Sequence, residues 1–384
     1  MTTSLDVVAL AQALIRCPSV TPKDEGAIGV LEDALRPLGF RCRRLAYSDA
    51  METVENLYAK VGEGTPLFCF AGHTDVVPVG DAAAWSVAPF KAEIVDGFLY
   101  GRGAVDMKGA VAAFAAAAAA FLSERRGDFR GSIALLITGD EEGRSVNGTR
   151  KALETLIGEG ERFDACLVGE PTNPQTLGEM IKIGRRGALS GKLTVRGVQG
   201  HTAYPHLADN PIPKMLRLLA ALLGEPLDAG SAHFEPSNLQ ITSLDVGNPA
   251  TNVIPAKIEA SFNVRFGDTF TAKRLEKRLR QGLDRAGIAY DLEIWVTGEA
   301  FLTEPGALSG LVADAVAAVT GKTPALGTAG GTSDARFLKD AGPVVEFGLG
   351  GSTMHKVDER VALADLEALT KIYRNVLEKF FAGR

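Results

Sequence analysis

The stretch FCFAGHTD, residues 68–75, carries an apolar run into a small turn, then to His73 and, two residues later, Asp75. A histidine delivered at the end of a buried strand is placed like a metal ligand. Residues two apart in an extended segment share a face. Asp75 can therefore hold the imidazole's other nitrogen and fix its tautomer. The pair is a weak signal on its own and gains force only if other segments bring acids and histidines to similar positions.

Working outward from this stretch, 56–61 and 67–71 are short apolar runs bounded by Gly and Pro, which suits buried strands. Upstream, 5–16 and 24–38 carry helical apolar spacing, and Gly39 serves as a C-terminal stop. Downstream, EIVDGFLYG at 93–101 reads as two strand pieces around the Asp96-Gly97 turn. The stretch GAVAAFAAAAAAFL at 109–122 is too short to span a bilayer. Alanine is the best helix former, so this is a core helix with side chains small enough for close packing. SIALLIT (132–138), a helix near 149–157 and a strand at 165–168 follow. Strands alternating with helices predict an α/β fold with a doubly wound, mostly parallel sheet.

Near residue 180 the pattern changes. Strands are expected at 189–195, 239–246, 256–266 and 292–296, with helices at about 209–223 and 271–286. The order β-α-β-β-α-β is a split βαβ unit, a self-contained α+β arrangement. After about 298 the α/β style resumes, with helices at 307–320, 333–340 and 362–380 and a strand at 344–347. The expectation is a first domain built from 1–182 and 298–384, with 183–297 inserted into it.

Composition narrows the function. The 384 residues are 46% hydrophobic and 23% charged, so a large core is available and global disorder is excluded. A net charge of -6 gives no reason to expect nucleic acid or an anionic membrane as partner. Cys17, Cys42, Cys69 and Cys166 lack CxxC spacing and read as free thiols. The N-terminal stretch contains Asp6 and no cationic segment, so it reads as an amphipathic helix and not as a signal peptide. These features point to the cytoplasm.

Four further sites resemble the opening stretch. In GRGAVDMKG (101–109), Asp106 lies between glycines just before the alanine helix; an N-cap is the plain alternative. In ITGDEEG (137–143), Asp140, Glu141 and Glu142 follow a strand and need counter-charge. Adjacent residues of an extended segment point to opposite sides, so Glu141 and Glu142 can do different jobs, one as base and one as ligand. In LVGEPT (167–172), Glu170 ends a strand; in GLGGSTMH (348–355), His355 follows a strand and a flexible turn. Strand ends of an open α/β sheet converge on one crevice, so these residues predict a metal centre. Mixed His and carboxylate ligands without Cys suit zinc, with cobalt or manganese as alternatives. Two His and three carboxylates exceed one open catalytic site and fit two ions sharing a carboxylate, able to clamp a water and polarise a carbonyl. A nearby unligated Glu would take the water's proton and pass it to the leaving amine.

At these residues the chain resembles the dinuclear zinc aminoacylase, carboxypeptidase and desuccinylase family. His73-Thr-Asp75, Asp106, Glu141-Glu142, Glu170 and His355 match its motifs in order, and the resemblance spans nearly the whole chain. It implies that His73, Asp106 and Glu170 hold one Zn2+, and that Asp106, Glu142 and His355 hold another, with Co2+ an alternative in the second site. Asp106 would bridge, Glu141 would be the general base and Asp75 would orient His73. A cis Asp106-Met107 peptide is also implied.

Within the inserted segment, VQGHTAYPHLADNPIP (198–213), GRRG (184–187), TNVIP (251–255) and, further on, GGTSDARF (330–337) resemble the desuccinylase branch. That resemblance implies a homodimer in which His201 reaches the partner's site and stabilises the oxyanion; a solvated turn histidine is the plain alternative. His206 and His233 lack such support and read as structural or exposed. The implied reaction splits N-succinyl-LL-2,6-diaminopimelate into succinate and LL-2,6-diaminopimelate, a lysine and cell-wall precursor. Such a substrate carries several carboxylates, which guanidinium groups pair with bidentately. Arg185, Arg186 and Arg265 are the candidates, with Asn252, Thr332 and Ser333 as neutral partners; surface arginine is the plain alternative for each. The neighbouring activities, acetylornithine deacetylase or aminoacylase, share the metal motifs and remain open, as does a catalytically silent binding protein. GRGAVD (101–106) lacks the third glycine of a dinucleotide loop, and no Walker-type lysine motif is present. Asn147-Gly-Thr149 matches a glycosylation sequon that should stay unmodified without export.

Overall fold

Leu67–His73, Gly131–Thr138 and Ala165–Val168 are buried at every position. Strands apolar throughout belong in the middle of a sheet covered on both faces. The computed structural model, which describes residues 5–125 and 129–382, places them there. By internal contacts the chain divides into two units. Met1–Ile183, Thr303–Gly327 and Ser333–Arg384 make the first, and Gly184–Leu302 with Thr328–Thr332 make the second.

Across the sheet of the first unit the strands run Arg41–Ser48, Thr53–Glu63, Gly131–Thr138, Leu67–His73, Ala165–Val168, Val344–Glu346, Met180–Lys182 and Ala325–Gly327. Gly131–Thr138, Leu67–His73, Ala165–Val168 and Val344–Glu346 are parallel neighbours. Antiparallel pairing joins Arg41–Ser48 to Thr53–Glu63, Thr53–Glu63 to Gly131–Thr138, and Val344–Glu346 to Met180–Lys182. The mostly parallel α/β sheet is thus as expected. Arg41–Ser48, RCRRLAYS, escapes the sequence reading because it is an edge strand with a mostly exposed face, and its arginines hide the apolar alternation.

The alanine helix runs Lys108–Arg125 and is buried on almost all sides. It lies against helices Val7–Ile15 and Leu363–Phe380 as well as strand Leu67–His73. Methyl side chains allow that close approach, while Phe114 supplies the bulk. Its ring stacks on Phe70 with centroids 4.3 Å apart and meets Tyr373 edge-on at 5.8 Å. The Tyr373 hydroxyl donates to the Phe347 carbonyl at 2.6 Å, so the buried phenol is satisfied. No helix among the described residues is long and apolar enough to cross a membrane.

The second unit has a four-stranded antiparallel sheet in the order Asn238–Asp245, Lys257–Phe266, Gly187–Arg196 and Asp291–Gly298. Helices Pro211–Leu223 and Ala272–Asp284 share its core, which includes Leu189, Leu193, Met215, Leu218, Phe262, Phe266, Leu275 and Leu279. Gly187 and Gly191 lie directly opposite Phe266 and Phe262. A Cβ at either glycine would sit 2.2 or 2.3 Å from the facing ring, so only glycine admits these phenylalanines.

Phe114→Ala should destabilise the first unit by about 3–5 kcal/mol through lost burial and a cavity. Denaturant unfolding checks this, with Leu216→Ala, at an exposed position of the second unit, as a control expected within about 0.5 kcal/mol of wild type. Equal midpoints for Phe114→Ala and wild type would contradict the packing account.

Candidate metal centre

His73 is the last residue of its strand, Asp140 follows Gly131–Thr138 by two residues, and Glu170 follows Ala165–Val168 by two. His355 lies in the loop after Val344–Glu346. These four strands are parallel neighbours, so their carboxyl ends open on one edge of the sheet, where open α/β folds place their sites. Asp106 arrives from the turn before the alanine helix, and its peptide to Met107 is cis.

There the side chains meet. His73 Nε2 stands 3.1 Å from Asp106 Oδ1 and 3.6 Å from Glu170 Oε1. His355 Nε2 stands 3.2 Å from Asp106 Oδ2 and 2.8 Å from Glu142 Oε1. Asp106 therefore turns one oxygen to each imidazole. Two sets of donor atoms, one from His73, Asp106 and Glu170 and one from Asp106, Glu142 and His355, each lie within 4.8 Å of one another. A third set combines His73, Glu141 and Glu142. Two ligands on a tetrahedral ion with bonds of about 2.0 Å stand about 3.3 Å apart. The observed spacings match, and a donor set of imidazole and carboxylate suits a dication of zinc's class.

Electrostatics agree with that fit. Burial opposes charge on His73, yet its hydrogen bond to Asp106, which accepts, and the charges of Asp106, Asp75 and Glu141 raise its pKa well above the usual imidazole value. Hydrogen bonds to Asp106 and Glu142 push His355 up to about 10. Burial works against Asp106 as an anion, but its hydrogen bonds to His355 and His73 hold its pKa below the usual carboxylate range. Burial, then the charge of Glu170, lifts Glu141 well above that range. The cluster gathers more negative charge than its imidazoles offset, which is what bound cations relieve.

Asp75 serves the cluster differently from the expected arrangement. Its backbone carbonyl, 2.9 Å from Nδ1, fixes the His73 ring, while its carboxyl oxygen stands off at 3.7 Å. The carboxylate instead accepts the N–H groups of Glu141 at 3.2 Å and Glu142 at 3.0 Å. Burial raises its pKa to about 6. Asp140, singled out in sequence but given no role, accepts the N–H groups of Ser145, Val146 and Asn147 at 3.1, 2.7 and 2.9 Å. It thereby anchors the loop that follows Glu141 and Glu142. Asn147, at the sequon, is fully buried.

The second unit carries the other predicted residues, except Ser333. His201 is exposed; its strand Gly200–His201 pairs with Val253–Ile254, and its Nδ1 accepts the Ala203 N–H at 3.0 Å. Asn252 is close by, its carbonyl accepting the Thr202 N–H at 3.0 Å. Arg185 is buried and donates to the Gly331 carbonyl at 3.0 Å. Arg186 lies 4.0 Å from the Glu235 carboxylate. Burial, then the charge of Arg186, lowers the pKa of Arg265, whose Nε donates to Asn263 at 3.1 Å. Thr332 is half-buried in the short segment Thr328–Thr332. Ser333 belongs to the first unit, fully buried, with its hydroxyl donating to Glu346 at 2.7 Å. His206 is exposed and His233 half-buried, the latter's carbonyl accepting from Thr328.

Residues 69–379 match the model of peptidase family M20/M25/M40. The chain is 62% identical over 379 residues to the succinyl-diaminopimelate desuccinylase of Rhodospirillum centenum, covering 98% of both chains. It is 59% identical over 381 residues to the enzyme of the same name from Methylorubrum populi, again covering 98% of both. Among solved structures, an M20 family metallo-carboxypeptidase from Sulfolobus solfataricus shares the fold, with a TM-score of 0.78 at 17% identity over 97% of this chain and 98% of that one.

Two residues after Asp106, Lys108 is fully buried and donates to the Cys17 carbonyl at 2.7 Å. Burial lowers its pKa from 10.5 to about 8. The folded chain gives up this proton before the unfolded chain does, so the unfolded state binds more protons between those values. Lys108 thus costs stability in full below pH 8, and the cost fades as pH rises to 10.5, by up to about 3 kcal/mol. The stability of wild type relative to Lys108→Met should climb across that window in denaturation series. A flat difference would remove Lys108 as the source.

Proposed function

The chain belongs to peptidase family M20/M25/M40, and on that premise we propose that it hydrolyses N-succinyl-LL-2,6-diaminopimelate to succinate and LL-2,6-diaminopimelate. The likeness to enzymes of that activity over almost the whole of both chains supports the substrate. The observation that carries the chemistry is Asp106, one oxygen 3.1 Å from His73 and the other 3.2 Å from His355.

In this reading His73, Asp106 and Glu170 hold one Zn2+ and Asp106, Glu142 and His355 hold the other, with Co2+ able to replace zinc in the second position. When bound, such ions polarise a carbonyl and lower the pKa of a water. Glu141 takes the proton of the attacking water and hands it to the leaving amine; burial and the charge of Glu170 raise its pKa, which strengthens it as a base. Asp75 aims His73 through its carbonyl and steadies Glu141 and Glu142 through its carboxylate.

The second unit, Gly184–Leu302 with Thr328–Thr332, is proposed as the dimerisation and lid domain. His201 of a homodimer would stabilise the oxyanion that forms on the succinyl carbonyl. Arg186 and Arg265, the latter with its pKa lowered by burial and by the charge of Arg186, suit a substrate carboxylate better than Arg185, whose guanidinium is engaged by Gly331. Asn252 and Thr332 would supply neutral contacts. Ser333, its hydroxyl engaged by Glu346, is not available to the substrate in this reading. The setting proposed is the cytoplasm, in the pathway to lysine and cell-wall precursors.

A panel of N-succinyl-LL-2,6-diaminopimelate, N-acetylornithine and simple N-acyl amino acids tests the assignment. kcat/KM should favour the succinyl substrate by at least about 100-fold, and chelation should abolish turnover until zinc or cobalt is returned. Preference for N-acetylornithine would replace the substrate while leaving the chemistry. Glu141→Gln should keep both ions and lose about 10²–10⁴-fold in kcat. Near-normal turnover in that variant would remove Glu141 from the proton-transfer role.

A further inference from the structure

Glu359 is fully buried four residues beyond His355. One of its oxygens, Oε2, accepts from Arg102 Nη1 at 2.6 Å. The other, Oε1, accepts three backbone N–H groups, from Gly103 at 3.1 Å, Val105 at 2.9 Å and Asp106 at 3.3 Å. Gly103 has φ +88°, and a Cβ there would meet Val76 at 2.8 Å. This left-handed step lets the segment curl so that its N–H groups converge on one anion, a backbone nest. Arg102 is buried too, with its guanidinium 5.2 Å from the Trp85 ring and donating to the carbonyls of Lys356 at 3.2 Å and Pro78 at 3.4 Å.

A buried ion pair is weak as a source of stability, because desolvation offsets its attraction. Its geometry here serves another end. The Asp106 carboxylate must keep one oxygen on each of two imidazoles, and the backbone that carries it is gathered onto a single oxygen of Glu359. The Glu359 carbonyl also accepts the Gly101 N–H at 2.9 Å, so the chain that carries His355 is tied to the start of the Asp106 turn.

We infer that Glu359 is a positioning residue for the metal centre: its carboxylate fixes the 103–106 backbone so that Asp106 can be shared by two ions. The inference rests on the proposed reading of Asp106 as the shared ligand. Arg102 pairs with Glu359 and, through the Lys356 and Pro78 carbonyls, adds its own ties to the turn, so the test removes it from both variants compared.

Two double variants separate positioning from bulk stability. R102M/E359Q removes the ion pair but leaves an amide oxygen for the three N–H groups. R102M/E359L removes the pair and the acceptor together. Titration with Co2+, followed by its visible absorption, reads affinity and stoichiometry directly. The glutamine variant should bind two ions per chain within a few-fold of wild type. The leucine variant should bind the second ion about 10–100-fold more weakly. Equal affinities in the two variants overturn the inference while leaving the proposed function standing. A wild-type chain that takes up no Co2+ overturns the metal reading and the inference with it. Should the leucine variant fail to fold, Glu359→Asp takes its place. It keeps the charge but withdraws the carboxylate by one methylene, and wild-type Co2+ affinity there overturns the inference.

Discussion

Carboxylates crowded at the end of a sheet repel one another, and each buried one must find donors or give up its charge. Asp106 answers this by dividing its oxygens between two imidazoles. Around it, Asp75 spends its carboxylate on two backbone N–H groups and Asp140 spends its own on three. Without these backbone contacts the acids would need protons, and a protonated cluster is a poor ligand set. The parallel strands supply the rest, because their ends bring distant segments to one edge.

Most of the first unit was legible in sequence because its central strands are buried throughout and mostly apolar and its main helix is rich in alanine. The split βαβ order of the second unit was legible for the opposite reason: alternate residues of Lys257–Phe266 are buried, so the pattern has a clear period of two. The short strands Gly184–Arg185, Gly200–His201, Val253–Ile254 and Phe301–Leu302 were not legible. Two residues carry no periodicity, and these pairs form where the fold brings their backbones together.

The candidate site divides the same way. His73, Asp106, Glu142, Glu170 and His355 stand out in sequence because each follows an apolar run or a glycine-rich turn. Their supports do not. Nothing local shows that the Asp75 carbonyl, and not its carboxylate, faces Nδ1. Nothing local links Glu359 to a turn some 250 residues earlier. Hydrogen bonds from side chain to distant backbone leave no mark in spacing or composition, since any acid of suitable reach could make them. Ser333 illustrates the converse, a hydroxyl that looks available in sequence and is consumed by a buried acid in the fold.

The outgoing and returning strands of the second unit, Gly184–Arg185 and Phe301–Leu302, are hydrogen-bonded to each other. More than a hundred residues therefore depart and return through two adjacent chain points, as the loop of a hairpin does. Closure entropy depends on that end separation and only weakly on what lies between. The position can then accept a compact insert, or exchange one for another, at little topological cost. Transplanting this segment asks only that the new piece begin and end as neighbouring strands, and that it accommodate Thr328–Thr332.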